Sequence, residues 1–517
     1  MYDLVLTGGT IVDGKRTKPY KANLCIKDGK IARITNEAVE AKETFDVSGL
    51  AVAPGFIDIH NHSDGTPFHN RTPASMIRQG VTTEIVGNCG GSCVPGLEET
   101  RERSEAYNMQ KRSHPGFLTV TDYAAAIDEL TPGTNYGPLL GHSNLRMAVM
   151  GFVNRDPNEE EMEKLKALLE REMQRGAFGM SLGLIYPPSA FSAREELVEL
   201  AKVIAKYDGI LSVHMRNEGP RIFEAVEEMI DIARRSGVHV QISHLKLMGT
   251  PQWGKAPQLI AMIDRARAEG LNITADQYPF PASSTSLTAL VPHWAHDGGR
   301  DAMLERLEKE YDKICAEVLK EMTNRGGPDT IMVDSSSGCP QYVGKYVSQI
   351  AQELGVDPVE AVRRVLLDSK AGTHCIYFCI NHDDIHHIMK QLYVCVGSDG
   401  YGRDYNITAT PHPRNFAAFS QYFQTVREHN IHPLEDMVYK STGLTASILG
   451  ITDRGTLTEG NWADIAIFDP EVFASQSTFL APKAPPVGMH HVLVNGKFAV
   501  RNNEQTGICA GMGILKK

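Results

Sequence analysis

The sequence predicts an α/β protein, with a (β/α)8 TIM barrel in the middle of the chain and a small β-sandwich built from both chain ends. Three observations favour this fold: apolar and polar residues alternate at the two ends, strand and helix signals repeat about every thirty residues between them, and that middle part offers eight strand candidates. We expect residues 1–53 and 441–517 to form the sandwich and residues 54–440 the barrel.

The two ends carry the alternating pattern of half-buried strands, in DLVLTGGTIVDG and NLCIKDGKIARI at the start and in WADIAIFDP and HHVLVNGKFAV near the end. Asp28-Gly29 and Asn495-Gly496 are two-residue hairpin signals, and Gly460-Asn461 is a further turn signal. The shared pattern predicts one sandwich that uses both ends.

The middle of the chain alternates between helical and strand signals. Helical runs such as EEEMEKLKALLEREMQR and RIFEAVEEMIDIARRS carry apolar residues three and four positions apart. A glycine follows each run and is expected in the left-handed conformation that ends a helix; these are Gly176, Gly209, Gly237 and Gly270. The apolar runs AFGMSLGLIY, ILSVHM, VHVQISH and LNITADQY come next, and GFIDIHNH, VTTEIVGNC, YGPLLGHSN and YVCVGSDG complete eight strands.

One segment, at about 280–390, interrupts this rhythm. It begins with PFPASSTSL and contains two or three additional helical patterns. Since it follows a strand at the carboxyl end of the barrel, we expect an inserted lid that covers the site and shapes the substrate pocket.

Composition excludes several function classes. The net charge of −11 and the pI near 6.0 argue against general binding to nucleic acid or to anionic membranes. Neither a signal peptide nor a long apolar stretch is present, so a cytoplasmic location is the expectation, and the nine scattered cysteines predict reduced thiols. The expected partner is a small molecule, and homo-oligomer formation is left open.

Candidate metal ligands lie at the ends of several predicted strands. His60 and His62 are two residues apart, so both project from one face of a strand, and Asp58 shares that face. The others would meet them at the catalytic face of a barrel; they are Cys89, His214, His244 and Asp399. Imidazole and thiolate are ligands that Zn²⁺ prefers, so zinc is the predicted metal.

Each of these residues also has an ordinary structural interpretation. A strand pair of histidines is commonly exposed or packed in a core, and Cys89 alone would be a small buried hydrophobe. Asp399 stands in Ser-Asp-Gly, which is good turn chemistry. The glycines that flank Asn88-Cys89 indicate a tight loop, which favours the ligand interpretation of the cysteine.

Several motifs together resemble the D-aminoacylase (N-acyl-D-amino-acid deacylase) branch of the amidohydrolase superfamily. They are GFIDIHNHSD, EIVGNCG, SVHMRNEG, QISHLK, DQYPFPASST, GSDG with a later HPR, and GNWADIAIFDP. GNCG is the specific one, because it stands in for the carbamylated lysine that other branches carry on the fourth strand, and AFGMSLGLIY contains no lysine.

The resemblance implies one tight zinc held by Cys89, His214 and His244, and a second, weaker position at His60 and His62. It also implies hydrolysis of the amide bond of N-acyl-D-amino acids by metal-bound hydroxide, with Asp399 as the general base that returns its proton to the leaving nitrogen.

The same resemblance implies a set of substrate-binding residues around the carboxylate and the developing oxyanion. They are Lys246, Tyr278, Ser283, Ser284 and Arg414. Outside their motifs, the lysine and arginine would be read as solvated surface charges, and the serines as turn residues.

The apolar stretch LTALVPHW predicts a preference for neutral side chains over acidic ones, unless a cation of the insertion such as Arg300 reaches the pocket. The alternative function is a cyclic amidase of the dihydroorotase or hydantoinase type. A more remote alternative is a scaffold that kept the fold without the chemistry.

A second histidine cluster, in HCIYFCINHDDIHHIMK, is assigned no metal. It contains His374, His382, His386 and His387 with Asp383 and Asp384. The acidic residues suit the first turn of a helix, so we expect this cluster away from the site, and Cys375 and Cys379 as core thiols.

Overall fold

The computed structural model describes residues 1–95, 116–407 and 409–517. Within them a parallel barrel forms the centre of the molecule. Its strands are β1 (Phe56–Asp58), β2 (Val81–Val86), β3 (Asn135–Pro138, continued by Leu140–Gly141), β4 (Gly179–Gly183), β5 (Ile210–His214), β6 (His239–Ile242), β7 (Ile273–Gln277) and β8 (Val394–Val396). All eight predicted strands are therefore present.

The strands pair in chain order. Each is parallel to the next from β1 to β8, and a parallel bridge between Asn61 and Gly400 joins the last strand to the first. The sheet thus closes, and the carboxyl ends of all eight strands meet on one face, where TIM-barrel sites lie.

Helices surround the barrel, and the predicted helical runs EEEMEKLKALLEREMQR and RIFEAVEEMIDIARRS are among them. They are Ala74–Ile77, Val120–Leu130, His142–Val149, Glu159–Gln174, Arg194–Ala205, Ile222–Ser236, Ala256–Ala268, His382–Met389, Arg414–Glu428, Leu434–Ser441 and Gly443–Leu449. Glu159–Gln174 shows why such runs fold: Asn158 and Glu161 form a capping box at its start, and the apolar side of the helix, which includes Leu165 and Leu169, is buried.

The glycines after these helices were predicted correctly except at one position. Gly176, Gly237 and Gly270 have φ values of +96°, +75° and +91°. The prediction for Gly209 is wrong, because the preceding Asp208 takes the left-handed conformation instead, with φ +49°. Aspartate tolerates that conformation better than most residues with a Cβ.

The two chain ends build the predicted β-sandwich. One sheet has the strand order Lys30–Thr35, Asn23–Lys27, Tyr2–Thr7 and Ala41–Asp46. The other has the order Glu504–Gln505, Lys497–Arg501, Met489–Val494, Ile465–Phe468, Ala51–Pro54, Thr10–Ile11 and Tyr20–Lys21. Leu4, Leu24, Ile465 and Leu493 belong to one buried cluster that joins the two ends. The hairpin signal at Asp28-Gly29 is confirmed by φ values of +53° and +75°.

The insertion is richer than predicted. Before the helix His382–Met389 that leads into β8, the insertion holds four described α-helices instead of two or three: Arg300–Lys309, Tyr311–Asn324, Val347–Leu354 and Pro358–Asp368. A three-stranded antiparallel sheet that was not predicted accompanies them, with the order Ser283–Ser286, Thr373–Tyr377 and Ile331–Ser336. Its first strand reads SSTS, which carries no apolar alternation to reveal it. We call residues 283–377 the lid.

Two further expectations concern the whole chain. None of the described helices is long and apolar enough to cross a membrane. No disulfide joins any of the nine cysteines, all of which lie in the described part of the chain. The limits at residues 53 and 440 between sandwich and barrel stay predictions.

Candidate metal centre

Three predicted site residues occupy an unusual backbone conformation at the ends of their strands. Cys89, His244 and Asp399 have φ values of +51°, +37° and +50°. Residues with a Cβ rarely adopt positive φ, and such strain is concentrated at functional sites. The backbone therefore turns sharply at each of these strand ends.

The GNCG loop is fixed by its neighbours. A Cβ on Gly87 would come within 2.3 Å of the Leu139 carbonyl oxygen, so this position requires glycine. Asn88 donates from Nδ2 to the carbonyl of Ile85 at 2.9 Å and accepts from the hydroxyl of Ser212 at 3.2 Å. These contacts hold the Cys89 thiol at the mouth of the barrel.

Cys89, His214 and His244 form a first donor cluster. Cys89 Sγ lies 3.6 Å from His214 Nδ1 and 3.7 Å from His244 Nε2, and the two nitrogens are 2.9 Å apart. A tetrahedral zinc, bound at about 2.0 Å to nitrogen and about 2.3 Å to sulfur, separates a sulfur from a nitrogen ligand by about 3.5 Å and two nitrogen ligands by about 3.3 Å. The three donor atoms therefore have nearly the spacing that one zinc requires.

His60, His62, Cys89 and Asp399 form a second cluster, which shares the thiol with the first. His60 Nε2 lies 3.3 Å from Cys89 Sγ and 3.5 Å from Asp399 Oδ1, and His62 Nε2 lies 3.0 Å from the same carboxylate oxygen. Among the described residues, the structure thus brings together six of the seven candidate ligands, with five of them around the sulfur of Cys89.

The charge state of Cys89 suits a metal ligand. Burial alone would raise its pKa, but the charge of His60 and hydrogen bonds from His214, His244 and His60 bring the pKa of the thiol well below its usual range. The thiolate is the form that binds metal. Together with the donor spacing and the imidazole-rich composition, this fits zinc better than calcium or magnesium.

Two carboxylates that were not predicted lie beside the histidine ring nitrogens that point away from the donor clusters. Glu218 Oε1 lies 3.0 Å from His244 Nδ1, and Glu218 Oε2 lies 3.6 Å from His214 Nε2. Asp276 Oδ1 lies 3.2 Å from His60 Nδ1. A carboxylate on the far nitrogen directs the near one towards a metal. Glu218 stands in the motif SVHMRNEG and Asp276 in the motif DQYPFPASST, and these motifs were the available signal.

Asp58 does not join the ligands, although strand parity placed it on their face. Its carboxylate accepts from the backbone N–H of Ser398 at 2.9 Å and from the Ser398 hydroxyl. Burial raises the pKa of Asp58 to about 7. This residue ties β1 to the loop after β8 and so helps to position Asp399.

Asp399 and Arg414 form a buried ion pair at the centre of the site. Arg414 Nη1 donates to Asp399 Oδ2 at 2.7 Å, and Arg414 Nη2 donates to the carbonyl of Ser284 in the lid at 3.0 Å. Burial alone would raise the pKa of Asp399, but Arg414, then His244 and the hydrogen bond from His62, lower it well below the usual range.

The remaining predicted substrate residues line the same cavity but differ in availability. Lys246 donates to Glu218 and to the His244 carbonyl (2.9 Å), and its Nζ lies 2.7 Å from His244 Nδ1, the nitrogen that faces Glu218. The buried hydroxyl of Tyr278 has no hydrogen-bond partner among the described residues. Ser284 donates to Asp334 at 3.2 Å, and Ser283 is buried beside it.

The cavity has a volume of about 580 Å³ and lies between the strand ends and the lid. The predicted lining by LTALVPHW is wrong: of this stretch only Thr288 and Ala289 line the cavity, because Leu287, Leu290 and Val291 are packed in the core of the lid. Arg300 lines the cavity instead, and its buried Nε has no hydrogen-bond partner in the described part of the chain.

The second histidine cluster divides between two places. His382, His386 and His387 lie on the helix that begins at His382, where Asn381 caps the backbone N–H groups of Asp383 and Asp384, as predicted. The prediction is wrong for His374, which belongs to the lid strand Thr373–Tyr377 and lines the cavity. Because the sequence did not predict this strand, it could not predict that His374 lies at the site.

A sequence profile of the amidohydrolase family matches residues 43–500 of this chain. The chain belongs to the amidohydrolase family. The D-aminoacylase of Alcaligenes xylosoxydans xylosoxydans is 33% identical over 512 residues, which cover 99% of this chain and 97% of that protein. This match identifies the branch of the family, and solved structures extend it.

Two solved structures resemble this amidohydrolase over 100% of both chains, each with a TM-score of 0.84. One, 33% identical, is N-acyl-D-glutamate deacylase from Bordetella bronchiseptica in complex with zinc and a phosphonate that mimics the tetrahedral intermediate. The other, 30% identical, is a D-aminoacylase whose binuclear metal centre shows one-metal activation and second-metal attenuation. The fold and the D-aminoacylase branch are thereby confirmed.

Proposed function

We propose that this amidohydrolase is a zinc-dependent deacylase of N-acyl-D-amino acids, which releases a carboxylate and a free D-amino acid. The observation that carries the proposal is the pair of donor clusters joined at Cys89, with Asp399 and Arg414 in the same cavity. The D configuration rests on the relatives, which act on D-amino acid derivatives.

Cys89, His214 and His244 would hold one zinc tightly, and His60 and His62 a second, weaker one. A bound zinc would supply Lewis acidity, which polarises the amide carbonyl and brings the pKa of water towards neutrality. Asp399 Oδ1 lies 3.0 Å from His62 Nε2 and 3.5 Å from His60 Nε2. This carboxylate is therefore placed to accept the proton of the attacking water. The same carboxylate then delivers that proton to the leaving nitrogen.

The other side chains bind and orient the substrate. Arg414 uses two of its five N–H donors on Asp399 and Ser284, so three remain for the α-carboxylate. Tyr278 has an unpaired hydroxyl for the developing oxyanion. Lys246 acts on Glu218 and His244 in the structure and supports the oxyanion by its charge.

A panel of substrates tests this function. We expect the zinc-loaded protein to release free amine from N-acetyl or N-formyl D-amino acids and not from their L-enantiomers. A clear preference for dihydroorotate or a hydantoin would favour the cyclic amidase alternative. No hydrolysis of any amide by a zinc-replete protein would favour the non-catalytic scaffold.

The side-chain pocket points to an acidic substrate. Arg300 stands in the cavity wall, and its nearest carboxylate, that of the exposed Asp301, is 3.7 Å away. A partly buried guanidinium of this kind gains a strong, charge-assisted partner when a substrate brings a carboxylate. This replaces the preference for neutral side chains that LTALVPHW suggested.

Replacing Arg300 by methionine should therefore shift the substrate preference. We expect kcat/KM for N-acetyl-D-glutamate to fall about 10- to 100-fold, as for loss of a hydrogen bond to a charged group, while N-acetyl-D-methionine changes little. Arg364→Met, on an exposed lid helix, is the matched control. If the unmodified protein prefers the methionine derivative and Arg300→Met changes nothing, the assignment of Arg300 is wrong.

A further inference from the structure

We propose that His374 of the lid is a substrate-binding residue that contacts the α-carboxylate beside Arg414. The inference deepens the proposed function and rests on it, because it concerns the same substrate in the same cavity. The α-carboxylate would then be bound by two residues, Arg414 from the barrel and His374 from the lid.

The first support is the register of the lid sheet. His374 pairs with Ser286, and Ile376 pairs with Ser284 on the same neighbouring strand. Residues two apart on a strand project from one face about 7 Å apart. Ser286 and His374 both line the cavity, as do the neighbouring Ser283, Ser284 and Thr285, so this end of the sheet borders the cavity that contains the metal centre.

The second support is the position of Arg414 on that sheet. Arg414 Nη2 donates to the Ser284 carbonyl at 3.0 Å. The guanidinium thus touches the lid two residue pairs, about 7 Å along the strand, from the pair that contains His374. A carboxylate bound to the free N–H groups of Arg414 would therefore lie within reach of the imidazole.

The third support is the surroundings of the imidazole. Its side chain makes no hydrogen bond to any described residue, while the charges of Asp334, Arg403, Arg414 and His62 act on it. Asp334 is held in place by the hydroxyls of Ser284 and Ser335, at 3.2 Å and 2.9 Å. Burial lowers the pKa of His374, so the ring is neutral at neutral pH and offers one N–H donor.

The test compares an acid with its amide. For His374→Ala we expect kcat/KM for N-acetyl-D-glutamate to fall about 10- to 100-fold, the usual effect of losing a hydrogen bond to a charged group. The α-carboxamide of the same compound lacks only the charge of the α-carboxylate. Its kcat/KM should fall about threefold or less in this variant, since hydrogen bonds between neutral groups contribute less. His374→Asn, which keeps an N–H donor, should recover part of the loss, and His293→Asn, an exposed lid histidine outside the cavity lining, should behave as the unmodified protein.

Equal losses for acid and amide would show a merely structural role and overturn the proposal, as would an unchanged kcat/KM for the acid. A binding measurement separates this result from the fate of the proposed function. If the unmodified protein hydrolyses none of the N-acyl-D-amino acids, the deacylase proposal fails. The Kd of N-acetyl-D-glutamate for the unmodified and His374→Ala proteins, measured by calorimetry, then decides on His374: a rise of about 10-fold or more supports it, and an unchanged Kd or no binding by either overturns it.

Discussion

Replacing Asp399 by asparagine is expected to lower kcat by about 10²- to 10⁴-fold, the usual contribution of a general acid or base. Asparagine keeps the size of the side chain and an oxygen atom but cannot accept a proton from water. Because Cys89, His214 and His244 do not depend on this carboxylate, the variant should retain its tight zinc. The measurements are steady-state turnover of an N-acetyl-D-amino acid and zinc content after dialysis.

The matched control for this variant is Asp383→Asn, an exposed carboxylate on the helix His382–Met389 that does not line the cavity. It should turn over substrate at the normal rate. Near-normal turnover by a zinc-replete Asp399→Asn protein would contradict the role of Asp399 as the proton carrier.

Replacing Cys89 by alanine should weaken both metal positions, because its sulfur belongs to both donor clusters. The loss in zinc affinity should exceed the roughly 10- to 100-fold loss that typically follows removal of a side chain hydrogen-bonded to a metal ligand. His214→Ala should lose tight zinc in the same way, whereas replacing His60 and His62 together should cost far less. Zinc content after mild dialysis, measured for each variant, gives the comparison.

Cys315→Ala, a partly exposed thiol on the lid helix Tyr311–Asn324, is the control for loss of a cysteine. It should hold zinc normally. If Cys89→Ala keeps zinc as tightly as the unmodified protein, the thiolate is not a ligand. If the His60 and His62 double variant loses as much zinc as His214→Ala, the distinction between a tight and a weak position is wrong.

The sequence was sufficient for the barrel and for the ligands because both depend on local patterns. An apolar run that ends in His214 or His244 predicts a strand and a position at its carboxyl end in the same step. The glycines around Asn88-Cys89 predicted a tight loop, and the structure shows one in which Gly87 has no room for a side chain. Such signals need no knowledge of distant contacts.

The lid was harder because its contacts join distant segments. SSTS at Ser283–Ser286 becomes a strand only by pairing with Thr373–Tyr377, about ninety residues later, and burial of that sheet decides which residues face the cavity. For this reason LTALVPHW was wrongly placed in the pocket, Arg300 was named only as an exception, and His374 was found there only in the structure. Glu218 was not predicted for a related reason: a carboxylate that contacts only the metal ligands stands at no fixed spacing from them in the sequence.

Restoring activity to metal-free protein with zinc tests the central claim most directly. Protein stripped with a chelator would be titrated with zinc while release of free amine from an N-acetyl-D-amino acid and from its L-enantiomer is followed. We predict no release without metal, and release from the D-compound alone that rises to its maximum at about one zinc per chain, as expected for a site with three protein ligands. Full activity of the metal-free protein, or amine release from the L-enantiomer alone, would contradict it.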